Sequence, residues 1–261
     1  MKAIVCEMCS SNNLIKEDGV FVCQVCGTKY SVEEAKKLMV EIEGPVDVSG
    51  SVVKVEGVAS NLSKARRAFE HIELGEVDKA EVMYEDILAD DNDNFLANLG
   101  MACVKNIKQD GDRKVMYYLN KCIAASYKAN DEEKSYIKKV VNYLSNDNKE
   151  ETGGLPILVI AVVADDYEAT KFLLENGADP NVKTRQGRKT GALFFSGFAS
   201  YKGKPNALKI AEMLIRYGAD TKAKTGDGFS VDGTDANGYG IVNDKLIIPS
   251  KEFQELCTRY S

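Results

Sequence analysis

The spacing of apolar residues changes character several times along the chain, and each change predicts an element or a boundary. Residues 14–23, "LIKEDGVFVC", read as strand, turn, strand, with Asp18-Gly19 as the hairpin signal. At residue 31, "SVEEAKKLM" opens a helix, with Ser31 at the N-cap and Glu34 three positions on. Residues 40–58 alternate apolar and polar positions and are broken by Gly44-Pro45 and Gly50, which predicts short exposed strands or an extended linker. From Ser63 the period becomes helical. Residues 63–94 predict two amphipathic helices around a turn at Gly75. Small Ala65, Ala68 and Ala80 permit close approach, while Tyr84, Ile87 and Leu88 supply bulk. "FLANLGMACVKNI" and "DRKVMYYLNKCIAASYKA" predict a second pair, interrupted around residues 109–111. The helix predicted at "DEEKSYIKKVVNYLSN" sets Tyr136, Ile137, Val140, Val141 and Leu144 on one stripe and is expected to cap that array.

Polar, glycine-ended "DNKEETGG" at residues 147–154 marks another boundary, and an internal repeat lies beyond it. "ATKFLLENGADPNVKT" aligns with "ALKIAEMLIRYGADTKAKT" through a shared Leu-[Leu/Ile]-x-x-Gly-Ala-Asp core. Gly177 and Gly218 fall just past the predicted helix ends, where a left-handed cap is needed. "LPILVIAVVADD" and "TGALFFSGFASY" supply the first helix of each copy. The two glycines are 41 residues apart, and the extra length is expected in "SYKGKPN", lengthening the turn between the helices. Residues 226–261 predict a degenerate, loop-rich unit ending in a helix from Lys251 capped by Ser250.

Composition narrows the class. The 261 residues are 44% hydrophobic and 28% charged, enough for two or three soluble domains. A net charge of −6 and a pI near 5.1 argue against general nucleic-acid binding. The longest apolar run, residues 155–164, is far shorter than the roughly 20 residues of a membrane span. "MKAIVCEMCS" shows no signal peptide, so a reducing cytoplasm is the expected setting for the seven cysteines.

Four of those cysteines form two CxxC pairs, Cys6/Cys9 and Cys23/Cys26, separated by 13 residues. Each CxxC can wrap a turn around one ion, and four thiolates close a tetrahedral shell with no open position. Structural Zn2+ is expected, although four cysteines alone do not distinguish it from an iron site. Gly27 follows the last ligand, where a metal knuckle often needs a positive φ. A redox CxxC would sit on a βαβ unit, and disulfides would need an oxidising compartment. Acids and bases cancel over residues 1–38, so phosphate affinity through counter-ion release is not expected of this module.

With Cys6-x-x-Cys9, Cys23-x-x-Cys26-Gly27 and Tyr30 in place, the stretch resembles a zinc ribbon of the kind found in transcription factor IIB. "VFVCQVCGTKYSVEEAKKL" is similar to ribbons that head bacterial tetratricopeptide-like proteins. Ala68, Gly75, Ala80, Tyr84 and Ile87 resemble the small, turn and bulky positions of a tetratricopeptide repeat, without its closing proline. The Gly-Ala-Asp units resemble ankyrin repeats. Pro156 occupies the place of the proline in that family's Thr-Pro-Leu-His turn, while Leu155 and Leu158 replace the threonine and histidine. These resemblances imply a mostly α, multidomain chain in four parts. Residues 1–39 form a small β zinc ribbon, 40–61 a linker, 62–147 tetratricopeptide-like repeats, and 148–261 an ankyrin-like region with a degenerate last unit. Both arrays are α-solenoids, which present extended recognition surfaces.

The remaining candidate chemistry is sparse. His71 is the single histidine, which rules out Ser-His-Asp and Cys-His hydrolase sites and histidine-based zinc catalysis. It reads as a partly exposed helix residue near Glu70 and Glu73. Asp227, Asp232, Asp235 and Asn237 hint at a calcium loop, but counting from Asp235 puts Leu246 at the twelfth position, so they read as turn residues. No acid lies between Asp179 and Glu212, an interval holding Lys183, Arg185, Arg188, Lys189, Lys202, Lys204 and Lys209. Its aromatics, Phe194, Phe195, Phe198 and Tyr201, are expected mostly in the core. Arg185, Arg188, Lys189, Lys202 and Lys204 are the candidate surface for an anionic partner. A non-catalytic scaffold for protein partners, with structural zinc and no membrane contact, is the expected function. The alternatives are a nucleic-acid-associated regulator using the ribbon and this basic interval, and an enzyme with an unrecognised site in the Asp/Gly-rich C-terminal segment, for which loss of turnover on changing Asp232 or Asp235 is the expected sign.

Overall fold

The computed structural model describes residues 2–9, 11, 13–17, 20–37, 39–41, 60–145, 155–184, 189–234, 239, 241–242 and 245–261. Most of the expected linker at 40–61, all of that at 147–154, and Asp18-Gly19 lie outside the described residues. No described helix is long and apolar enough to cross a membrane. The fold is a mostly helical repeat structure preceded by a small antiparallel sheet, and it divides into compact units at residues 1–104 and 105–261.

In the first unit β1 (Lys2–Ile4) pairs antiparallel with β5 (Met39–Glu41). A second sheet runs β2 (Leu14–Glu17), β3 (Val20–Cys23), β4 (Lys29–Tyr30), and Phe21 stands opposite Tyr30. Helix α1 (Val32–Lys37) carries the expected capping box: Glu34 N donates to Ser31 Oγ at 3.2 Å, and Ser31 N donates to Glu34 Oε2 at 2.8 Å. Helices α2 (Asn61–Glu73) and α3 (Val77–Asp90) pack through Ala65, Ala68 and Ala80, which leave room for Tyr84. The Tyr84 hydroxyl donates to Ala65 O at 3.3 Å. In α4 (Phe95–Ile107), Gly100 lies where any Cβ would strike the Tyr84 ring.

In the second unit α5 (Asp112–Ser126) and α6 (Asp131–Ser145) pack on α7 (Ile157–Val163), and α5 also packs on α8 (Tyr167–Glu175). Next come α9 (Ala192–Tyr201) on α7 and α10 (Ala207–Arg216) on α8, then α11 (Lys251–Arg259) on α10. The stripe of α6 buries Tyr136, Ile137, Val140 and Val141, while Leu144 is only half-buried.

The internal repeat is visible bond by bond. Gly177 and Gly218 both have φ of 94°, and each is followed by the same closure: Ala178 N to Leu173 O at 3.0 Å, Ala219 N to Leu214 O at 2.9 Å. Asn181 crosses from one copy to the next, donating from Nδ2 to Gly218 O at 2.9 Å and accepting from Asp220 N at 2.8 Å. Beyond the other end of these helices, Asn206 donates from N and Nδ2 to Asp165 Oδ2 and O.

The extra length of the second copy is not confined to the turn. First helices of 7 and 10 residues, turns of three (164–166) and five (202–206), and second helices of 9 and 10 share it. The degenerate unit holds β6 (Ile241–Val242) and β7 (Lys245–Leu246), paired as a short ribbon, before α11. Tyr239 stacks on Phe194 with ring centroids 4.0 Å apart. Gly197 is required beneath it, because a Cβ there would meet the Tyr239 hydroxyl and the Phe253 ring. Ser250 Oγ accepts from Phe253 N at 3.2 Å, the expected cap of α11.

Candidate functional site

The two CxxC turns are built alike. Cys6 N donates to Ser11 O at 2.8 Å and Cys23 N to Thr28 O at 2.9 Å, the same five-residue closure in each knuckle. Gln24 N donates to Asn13 O at 2.9 Å and ties the second knuckle to the end of the first. These bonds bring the four Sγ atoms within 4.8 Å of one another. Across the cluster, Cys6 lies 3.5 Å from Cys26, and Cys9 3.3 Å from Cys23. These separations exceed a disulfide bond of about 2.03 Å and resemble the edge of roughly 3.8 Å in a tetrahedron with zinc–sulfur bonds of about 2.3 Å.

Cys6, Cys9 and Cys23 are buried, and Cys26 is half-buried. Hydrogen bonds from Cys23 and Cys9 push the Cys6 thiol down, while bonds with Cys23 and Cys6 push Cys9 up. Four thiolates in one dry pocket repel one another, so full deprotonation calls for a cation. A soft, all-sulfur, closed donor set fits a structural metal such as zinc.

Two hydroxyls touch the sulfurs. Tyr30 Oη lies 3.0 Å from Cys6 Sγ, and Thr28 Oγ1 lies 3.1 Å from Cys26 Sγ. Burial, with the neighbouring Cys6, pushes the Tyr30 phenol above its usual value. Outside the cluster, Arg67 on α2 donates to the carbonyl of Glu7, inside the first knuckle, and pairs with Glu70 at 2.7 Å. Sequence reasoning took Tyr30 only as a family mark. Its place opposite Phe21 in a hairpin that also carries Cys23 was the available signal. Nothing local to Arg67 pointed to the knuckle.

The other three cysteines, Cys103, Cys122 and Cys257, are buried. Burial pushes Cys122 well up, and burial together with Asp232 pushes Cys257 up to about 12, so both stay protonated and poorly nucleophilic. His71 is half-buried and meets Glu76 at 2.7 Å, not Glu70 or Glu73; the turn after α2 brings Glu76 back under it. Asp232 Oδ1 accepts from Thr234 N and Oγ1, and Asp227 Oδ1 accepts from Thr225 Oγ1, which is turn chemistry. Asp235 and Asn237 lie outside the described residues.

Of the basic interval, Lys189, Lys202 and Lys204 are exposed, and Arg185 and Arg188 lie outside the described residues. Helix α9 runs between Lys189 and Lys202, and its ten residues at 1.5 Å each set these ends about 15 Å apart. Only Phe194 of the four aromatics is fully in the core. Phe195 and Phe198 are half-buried and Tyr201 is exposed, because α9 turns that face outward. Lys202 Nζ sits 4.5 Å from the Phe198 ring centre, a cation–π contact on the open surface.

Residues 153–185 match the model of the ankyrin repeat. A stretch of 121 residues is 34% identical to "Putative ankyrin repeat protein L86" of Acanthamoeba polyphaga mimivirus. That match covers 41% of this chain and 20% of the relative's length. Among solved structures, the ankyrin repeat domain of Bcl-3, a member of the IkappaB family, is similar at a TM-score of 0.35 and 14% identity, over 76% of this chain and 93% of that one. Residues 153–185 are thus similar to an ankyrin repeat, and a four-cysteine cluster in a small sheet precedes them in sequence.

Proposed function

We propose that the chain is a non-catalytic, cytoplasmic scaffold or adaptor that recognises protein partners, with structural Zn2+ held by Cys6, Cys9, Cys23 and Cys26. The ankyrin match within a stack of helix pairs carries this reading. Ankyrin repeats are generally protein-binding and non-catalytic, and stacked helices hold exposed loops without ordering cost. The functional division is a ribbon of the bacterial type at 1–39, a linker at 40–61, tetratricopeptide-like helices at 62–147 and ankyrin-like units at 148–261. The metal supplies stability to a module too small to bury much apolar area.

Arg185, Arg188, Lys189, Lys202 and Lys204 are the proposed partner surface. Because α9 separates Lys189 from Lys202 and Lys204, the two ends are tested apart. Affinity purification from native extract compares the chain with Arg188→Glu/Lys189→Glu, with Lys202→Glu/Lys204→Glu, and with Tyr117→Ala on the exposed face of α5. A protein captured by wild type and weakened by either charge reversal supports the surface. Loss through Tyr117→Ala alone moves recognition to the helices. Salt-dependent binding of RNA or DNA by the purified chain would instead favour a nucleic-acid-associated regulator.

A further inference from the structure

We infer that Tyr30 is an outer-shell positioning residue of the metal centre, its hydroxyl donating to the Cys6 thiolate and fixing the first knuckle against the sheet that carries the second. The inference rests on the structural-metal reading. Its geometry is direct: Tyr30 Oη and Cys6 Sγ are 3.0 Å apart, both side chains are buried, and 24 residues separate them in sequence. A ligating cysteine is deprotonated and has only lone pairs, so the proton in this contact belongs to the phenol.

The contrast with Thr28 shows what Tyr30 adds. Thr28 lies two residues from Cys26 and its hydroxyl contact is local to one knuckle. Tyr30 belongs to β4, whose partner strand β3 ends at Cys23, a ligand of the second knuckle. It therefore links a ligand on one knuckle to the strand that delivers a ligand on the other. Hydrogen bonds to coordinated sulfur spread its charge and hold its lone pair in line with the ion. Outer-shell partners of this kind typically contribute about 10–100-fold to metal affinity.

The test uses the full chain loaded with Co2+, whose thiolate-to-metal charge-transfer band reports on each sulfur, and transfer of the metal to a chelating dye. Tyr30→Phe keeps the ring and removes only the hydroxyl. It is expected to retain one cobalt per chain, to lose it about 10-fold faster or more, and to show the band at lower energy. Superimposable bands and equal transfer rates in Tyr30→Phe and wild type would reduce Tyr30 to a packing residue and overturn the inference. If Tyr30→Phe takes up no metal, Phe21→Leu separates the causes, since it loosens the facing strand without touching a sulfur. Metal uptake by Phe21→Leu supports the inference, and loss in both variants overturns it. A wild-type chain that takes up no cobalt overturns the metal reading itself.

Discussion

Among the described residues up to Glu41, the buried apolar side chains are Cys6, Cys9, Cys23, Tyr30 and Ala35. In the unit that begins at Lys105, Leu119, Ile157, Leu158 and Phe253 are fully buried, and each helix layer closes the one before it. Three of the five ribbon residues are proposed ligands and a fourth bonds to one of them. Among the side chains described there, little apolar interior surrounds the sulfur cluster, whereas the stack is made of ordinary hydrocarbon. Bond formation at one point should govern the first, and distributed packing the second. A perturbation that separates these dependences is the best probe of the molecule.

Metal removal is the largest such perturbation. Thiolate–zinc sites in small modules contribute on the order of 10–16 kcal/mol, so chelation or Cys23→Ser should unfold the sheet. The helical circular-dichroism signal should persist, with zinc content falling from one per chain to none. Loss of all helix on adding chelator would erase the contrast, and iron in elemental analysis would reassign the ion.

Phe253→Ala should act in the opposite sense. Emptying this fully buried site should cost about 3–5 kcal/mol and lower the thermal midpoint of the helices, while zinc stoichiometry stays unchanged. Gly197→Ala, by forcing a methyl group toward Tyr239 and Phe253, should cost about 1–3 kcal/mol, read by denaturant unfolding. Asn181→Ala removes two hydrogen bonds between repeat copies and should cost about 1–2 kcal/mol, seen as faster hydrogen exchange at Asp220 N–H. Lys202→Glu/Lys204→Glu should change stability by no more than about 0.5 kcal/mol, so any loss of partner binding reports the surface alone.

The features that were legible in the sequence are those whose signal is local. CxxC spacing, the Ser31/Glu34 box, the repeated Gly-Ala-Asp and the Ser250 cap each depend on residues a few positions apart, and each is found in the structure. What stayed hidden depends on chain reversal. His71 meets Glu76 because the turn at Gly75 doubles back, and Tyr30 meets Cys6 across a sheet. The basic interval is continuous in sequence, whereas in the structure the ten-residue helix α9 lies between Lys189 and Lys202.

Asn181 also determines how the repeat can grow. It occupies the position at which one unit grips the next, and the same position in the following copy is Lys222, which has no amide oxygen to accept from a successor's backbone. The stitch is therefore written once and then omitted, and the chain passes from a periodic to an irregular course at the unit that follows. Splicing another Gly-Ala-Asp unit after residue 225 should yield a loosely joined addition as the sequence stands. Pairing that insertion with Lys222→Asn should restore the seam and let the array lengthen.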